Sequence, residues 1–302
     1  MLDYKKHPWK RLMSVSEEIR VLPCGDSALT IEFGETVDPV LNARVLGLDE
    51  ALTQSNIAGV HETIPTYRSL FVTYDPDLVS FAALSASLQD LARKTGPKAA
   101  SPRCWHVPVS YGGEFGFDLE EVAKGKGLTP DEVVRRHVGG DYRVYMLGYM
   151  PGYAYLGGLD QTIATPRRNE PRLVTPAGAV MIGGVQAGIQ CLEAPSGWHI
   201  LGRTPMRSYH PQRDPLFLLE PGDAVRFYEV SLAEWHEMDK AAEAGEFVAD
   251  LVIDTGAGAA GGGVLLNGLK KGFTGSLIAR SVPPTGRTRP ALSRAFPHPH
   301  PH

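Results

Sequence analysis

Short apolar runs separated by turn-forming residues dominate the middle of the chain. Val144 to Leu147, Ala179 to Ile182, Trp198 to Leu201 and Ala224 to Tyr228 are each bounded by Gly, Pro, Asp or Ser, which is the pattern of an all-β sheet or barrel. Residues 145–227 leave little room for a helix. Upstream the period changes. Ile19 to Leu22 and Ala28 to Phe33 flank the turn cluster PCGDS and read as a hairpin. Asp38-Pro39 then opens a helix, with Asp as N-cap and Pro at the first helical position, and Val40, Leu41, Val45, Leu48 and Leu52 carry it to about Gln54. Val60 to Thr66 and Ser69 to Tyr74 read as strands, and a second helix carries Phe81, Leu84, Leu88 and Leu91. The order ββαββα predicts an α+β sandwich, with helices on one face of a mostly antiparallel sheet. After the linker GPKAASP, Cys104 to Val109 enters a second, strand-rich domain. There Thr129 and Glu132 are spaced as a capping box for a helix to about His137.

These patterns divide the chain into an N-terminal extension (1–17, with Met13 as a candidate start), an α+β sandwich (18–100), a β-rich domain (101–239) and a Gly/Pro-rich tail (240–302). The tail is expected to be mostly disordered, with a short strand or helix near Val264 to Leu269. Its GAGAAGGG run reads as linker, since no G-x-x-x-x-G-K-[ST] follows, and His298, His300 and His302 as a solvated end. An apolar share of 43% and a charged share of 21% are those of a soluble globular protein. A net charge of -4 with no Lys/Arg block argues against a nucleic-acid partner. Cys24, Cys104 and Cys191 are odd in number and far apart, so neither a disulfide framework nor a CxxC metal site is expected, and a reduced, cytoplasmic protein fits. No run approaches a membrane span, and no apolar segment follows the basic N-terminus to make it a signal peptide.

Within the β-rich stretch, Arg167, Arg168 and Arg172 lie in a turn with Pro166 and Pro171, which stiffen it. Guanidinium forks bind carboxylates or phosphates in pairs of hydrogen bonds; the competing reading pairs them with Glu170, Asp160 or Glu193 to fasten a loop. Arg168 is expected to face solvent. Trp198 offers a flat wall for a small ring or a core side chain, and Arg203 closes the same strand at a Gly202/Thr204-Pro205 end suited to facing a pocket. His199 alternates to the face opposite Trp198. Gly152-Tyr153 and Pro176-Ala177-Gly178 read either as tight turns or as loops whose N–H groups approach a ligand. Gly183, Gly184 and Gln186 suit a bulge or a substrate contact, and Asp118, Glu120 and Glu121 the acidic start of a short helix. There is no G-x-S-x-G, no HExxH and no His/Cys metal spacing. The chain therefore reads as part of a site rather than a whole one, with no metal centre of its own.

The run GYMPGYAYLGGL, PRRNEPR with TPAGAV, then APSGWHILGRTP and LLEPGDAVRF resembles the 5-oxoprolinase B-subunit family, also described as allophanate hydrolase subunit 1 or kinase-inhibitor-like. The resemblance extends over residues 18–230 through GDSALTIEFG, YRSLFVTYDP and LTPDEVVRRHVGGDYRVYMLGY. Tyr153 stands where the family pattern has Phe, Thr175 where it has Val and Ser196 where it has Gly. The resemblance implies that the second domain is a cyclophilin-like β-barrel. It also implies a component of an ATP-dependent amidohydrolase that opens the lactam of 5-oxo-L-proline to L-glutamate, with ATP and Mg2+ used by the assembled enzyme and none bound tightly by this chain. The implied partners are the related cyclophilin-like C subunit and the A subunit of that enzyme, with a composite substrate site drawing on Arg167, Arg172, Arg203, Trp198, Tyr153, Gly152, Pro176 and Ala177. Alternatives carried by relatives are a carboxyltransferase-type role on urea or allophanate and a regulatory protein that inhibits a sensor histidine kinase.

Overall fold

A computed structural model describes residues 19–101, 103–254 and 263–266. The first layer follows the predicted order: β1 (Arg20–Pro23), β2 (Ala28–Glu32), α1 (Pro39–Ser55), β3 (Val60–Pro65), β4 (Ser69–Tyr74) and α2 (Phe81–Lys94). The sheet is antiparallel throughout, in the order β1-β2-β4-β3. Alternation decides its faces: Leu29, Ile31, Leu70 and Val72 are buried, and Val45, Leu48 and Leu52 of α1 and Leu84 and Leu88 of α2 pack with them. Asp38 caps α1 as expected, accepting from the N–H groups of Val40 (2.7 Å) and Leu41 (3.2 Å).

The second domain runs β5 (Arg103–Tyr111), α3 (Leu119–Lys126), α4 (Pro130–Val138), β6 (Tyr142–Leu147), β7 (Ala154–Gly157), β8 (Arg172–Thr175), β9 (Ala179–Gly183), β10 (Gln186–Ile189), β11 (Ala194–Ser196), β12 (His199–Arg203), β13 (Ala224–Glu229), α5 (Leu232–Glu243), β14 (Asp250–Asp254) and β15 (Gly263–Leu266). Seven strands, β12-β9-β10-β7-β6-β13-β5, close into a barrel through the β12–β5 pairing, so the α+β class and the barrel are both confirmed. Val107, Val109, Val144, Leu156, Val180, Ile182, Ile189 and Leu201 fill the interior. β9 is buried along its whole length, because its outward residues Ala179 and Met181 lie under a second cluster with Tyr153, Cys191, Trp198 and Ile200. At α4, Thr129 accepts from the N–H of Glu132 (3.2 Å). The reciprocal half of the predicted box is not made: the Glu132 carboxylate is taken by Arg135 and Arg136.

Ordered structure continues beyond residue 239. Ser231 and Glu234 form a complete capping box that starts α5, and β14 pairs antiparallel with β5 and with β15. Residues 240–254 therefore belong to the folded domain, because β5 has an edge for β14 to complete. Residues 1–18 and 267–302, with the proposed extension, start and tail, lie outside the described residues, as does most of the glycine run. The two domains meet through Asn42, fully buried, whose amide donates to the carbonyls of Thr66 (3.0 Å) and Tyr145 (3.2 Å). Tyr67 also stacks on Tyr145 at 4.9 Å. Among the described residues no helix is long and apolar enough to cross a membrane, and all three cysteines are free.

Candidate functional site

The arginine turn splits in two. Arg172 donates from Nη1 to Asp118 Oδ2 (2.8 Å) and from Nη2 to Oδ1, and Arg168 donates from Nη1 to Asp118 Oδ1 (2.9 Å) and to Glu121 Oε2 (3.0 Å). Asp118 is only 1% exposed and also accepts from the N–H of Ile200 (2.8 Å). Its carboxylate is turned away from α3 and toward β12, which is why it does not cap its own helix. The loop-fastening partner is thus Asp118, not Glu170, Asp160 or Glu193, and Arg168 is not solvent-facing as expected. Arg172 is committed to the same carboxylate. Asp118, Glu121 and His199 offer ligand atoms within 4.8 Å of one another, but the two guanidinium groups stand where a cation would neutralise the acids. His199 donates from Nε2 to the Pro166 carbonyl (2.9 Å), since a carbonyl only accepts.

Arg203 is placed elsewhere again. Its Nε donates to the Ala177 carbonyl (2.8 Å), and its guanidinium lies over Trp235 (5.0 Å) and Phe115 (5.5 Å). Burial lowers its pKa. It clamps α5 to the barrel and does not meet Trp198. Gly152, with φ of 80°, backs onto the chain at Tyr209, where an added Cβ would come within 2.6 Å of the Tyr209 Cβ, and its carbonyl accepts from Ser208 Oγ (2.9 Å). In the Pro176-Ala177-Gly178 turn the Gly178 N–H donates to Gln190 O (2.7 Å) and the Ala179 N–H to Pro176 O (3.2 Å). The Gly178 N–H is thus spent on the fold, which favours the turn reading at that residue.

Arg167, Trp198 and Tyr153 are the predicted residues that the fold brings together. The Arg167 guanidinium lies 5.8 Å over the Trp198 ring and is exposed, with no acidic group in salt-bridge range among the described residues. Beneath it Tyr153 and Tyr155 meet at a tilt, 4.7 Å between ring centres, and both stand edge to face with Trp198, at 6.3 and 6.0 Å. Trp198 and Tyr153 are 5% and 4% exposed, so they are a floor rather than an open wall. The floor explains two glycines: a Cβ on Gly183 would fall 2.6 Å from the Trp198 ring, and one on Gly188 2.7 Å from the Tyr153 hydroxyl. Tyr155 and Tyr153 share a face because Ala154 between them points into the barrel.

Tyr67 reaches the same face from the other domain, edge-on to Tyr155 at 6.5 Å. Burial, then Tyr155 and Tyr145, raise its pKa, with the Gln186 side chain opposing. Burial likewise raises Tyr153 and Tyr155, against the pull of Arg167. A phenol is protonated at neutral pH in any case, and these shifts only widen that margin. Cys191, held at Pro151 O (2.7 Å), has its thiol pushed up to about 11 by burial, which makes it a poor nucleophile. Sequence reasoning missed Tyr67, Tyr145 and Tyr155. The Tyr-Ala-Tyr spacing at 153–155 carried the signal for Tyr155; Tyr67 carried none, since its contact crosses domains. An unpaired cation, neutral donors and an aromatic floor suit a small, flat carboxylate.

The domain model that matches residues 19–219 is the carboxyltransferase domain, subdomain C and D. The chain is 39% identical over 235 residues to the 5-oxoprolinase B subunit of Bacillus subtilis (strain 168), covering 74% of this chain and 97% of that protein. It is 37% identical over 204 residues to the 5-oxoprolinase B subunit of Escherichia coli O157:H7, covering 67% and 92%. Among solved structures, TTHA0988 shares 38% identity with a TM-score of 0.60 over 68% of this chain, which spans 40% of the TTHA0988 chain. The urea amidolyase of K. lactis, at 21% identity and a TM-score of 0.69 over 78% of this chain, shares the fold.

Proposed function

The chain belongs to the 5-oxoprolinase B-subunit family, and we propose that in the assembled enzyme it binds the carboxylate and ring of 5-oxo-L-proline while other subunits complete the hydrolysis to L-glutamate. The B subunit is one component of a multi-subunit enzyme. The observation that supports this division of labour is Arg167: an exposed guanidinium without an acidic partner among the described residues, set over Trp198 and beside Tyr153 and Tyr155. In this reading its fork takes the substrate carboxylate, the aromatic floor backs the five-membered ring, and the half-buried Tyr155 hydroxyl donates to the ring carbonyl.

Amide resonance makes the lactam resist water at neutral pH, so coupling to ATP is chemically sensible. Among the described residues the one partly buried acidic cluster does not suit the Mg2+ that would accompany the nucleotide. Asp118 and Glu121, which would otherwise suit Mg2+, are paired with Arg168 and Arg172, and the sequence has no G-x-x-x-x-G-K-[ST] loop. ATP and Mg2+ are assigned to the other components, the related C subunit and the A subunit, in the cytoplasm. The test is release of glutamate and ADP from 5-oxoproline plus ATP, with this chain alone and with the other subunits. Activity only in the mixture supports the reading; a folded, associated mixture that releases neither product overturns it.

A further inference from the structure

We propose that Tyr149 is the side wall of the Arg167 face and sets the size of ring that the face accepts, fitting the five-membered ring of 5-oxo-L-proline and excluding larger cyclic amide carboxylates. This rests on the carboxylate-binding reading above and names the residue that makes that site selective. Among the described residues Tyr149 and Asn56 are the non-glycine residues with positive φ, at 64° and 47°. Asn56 has an ordinary reason, since it ends α1 in the left-handed conformation that asparagine tolerates. Tyr149 has no such reason. It lies in the loop between β6 and β7, where its Cβ is crowded by the following carbonyl. Glycine would relieve the crowding, and the same loop has glycine at 148 and 152. Burial does not offset it either, because Tyr149 is 61% exposed. Backbone strain around an aromatic ring left largely in water points to a ligand-facing role.

What the strained conformation secures is a fixed position for the ring. The backbone on either side is tied within the loop: the Gly148 N–H donates to Tyr153 O (3.2 Å), the Met150 N–H to Gly148 O (2.7 Å) and the Tyr153 N–H to Met150 O (3.2 Å). At its other end the Tyr149 hydroxyl donates to Pro195 O (2.8 Å), three residues before Trp198. Pinned at both ends, the ring stands perpendicular to Tyr153 at 5.8 Å. Arg167 stands over Trp198 in the same aromatic group. Tyr155 feels both of them, since the Arg167 charge lowers its pKa and the Tyr149 phenol raises it. The floor of Tyr153, Tyr155 and Trp198 therefore carries a cation and an upright aromatic ring. A flat acid whose carboxylate meets Arg167 lies on that floor and meets Tyr149 at its edge. Because the wall is held by its hydroxyl as well as its backbone, it does not step back for an additional methylene.

The experiment measures equilibrium binding of 5-oxo-L-proline and of its six-membered homologue, 6-oxopiperidine-2-carboxylate, to the assembled enzyme without ATP, and then kcat/KM for each with ATP. Wild type, Tyr149→Gly and Tyr149→Phe are compared. Glycine suits the backbone at 149 and removes the ring, whereas phenylalanine keeps the ring and frees it from Pro195. In the wild type the additional methylene should weaken binding and lower kcat/KM by about tenfold or more. Tyr149→Gly should lose most of that preference through tighter binding of the larger acid, and Tyr149→Phe should lie between the two. An unchanged preference in Tyr149→Gly overturns the proposal, while continued glutamate release leaves the 5-oxoprolinase reading in place. Equal binding of both acids by the wild type overturns it as well. A preference in binding that depends on Tyr149, with no glutamate released, defeats the hydrolysis reading and leaves the wall standing. Binding of neither acid defeats both.

Discussion

Arg167 and Arg172 lie five residues apart, each directly after a proline, and end in opposite situations. Arg172 shares with Arg168 a carboxylate that is 1% exposed and uses its remaining capacity on the Ile200 N–H. Arg167 stands in solvent over Trp198 with no carboxylate in reach among the described residues. Residue type and local sequence are the same; what differs is whether a distant segment delivers an acid. A buried carboxylate demands cations, and the two nearest arginines are consumed in meeting that demand. The arginine left over is the one free to meet a ligand. By the same logic Arg203, capped by Ala177 O and two aromatic rings, belongs with Arg172.

The comparison breaks most easily at Asp118. Asp118→Ala leaves two guanidinium groups and the Ile200 N–H without their acceptor, and should lower unfolding stability by about 3–5 kcal/mol. Arg172→Ala should cost about 1.5–3 kcal/mol, the range for hydrogen bonds to charged groups. Chemical denaturation of the isolated chain measures both. If Asp118→Ala melts like the wild type while the assembled enzyme loses substrate affinity, Asp118 and its arginines belong to the site and the division fails.

This division explains what could be read in advance. Asp38-Pro39, the Leu84/Leu88 spacing and the bounded runs at Val144, Ala179 and Ala224 are local signals, and each became the expected helix or strand. The Asp118–Arg172 pair spans 54 residues and leaves no local trace, so FDLEEVA looked only like a helix start. Tyr67 reaches its site from another domain. The start of α5 is legible in the Ser231-Leu-Ala-Glu234 capping box, a signal the sequence analysis did not use. Likewise DLVID becomes a strand only because β5 has an edge for it.

The next test sharpens the other side. Arg167→Ala removes an exposed side chain without an ion pair and should change stability by no more than about 0.5 kcal/mol. In the assembled enzyme it should raise KM for 5-oxoproline by about 10- to 100-fold, the loss of a charge-assisted pair worth about 1.5–3 kcal/mol, and Arg167→Lys should recover part of it. A parallel drop in stability would place Arg167 with the structural arginines.

The gentlest test uses acid and a group outside both regions. His137 is fully buried beside Tyr142 and Phe227, shares a 2.8 Å hydrogen bond with Tyr111, and is held by burial down to about 3 from its ordinary value of 6.5. The unfolded chain takes up a proton near pH 6.5 that the folded chain refuses. Stability is therefore intact above pH 6.5 and falls as pH drops toward 3, by about 1.4 kcal/mol per pH unit. Unfolding curves at pH 7, 6 and 5 should show a His137 contribution of about 0.7 kcal/mol lost over the first unit and about 1.2 over the second, on the approach to that limiting slope, in the wild type and equally in Arg167→Ala, since that residue lies on the far side of the aromatic floor from the barrel interior. In His137→Asn, which starts lower at pH 7, the slope should be reduced by that amount. A variant with the full wild-type slope would assign the acid response to other groups.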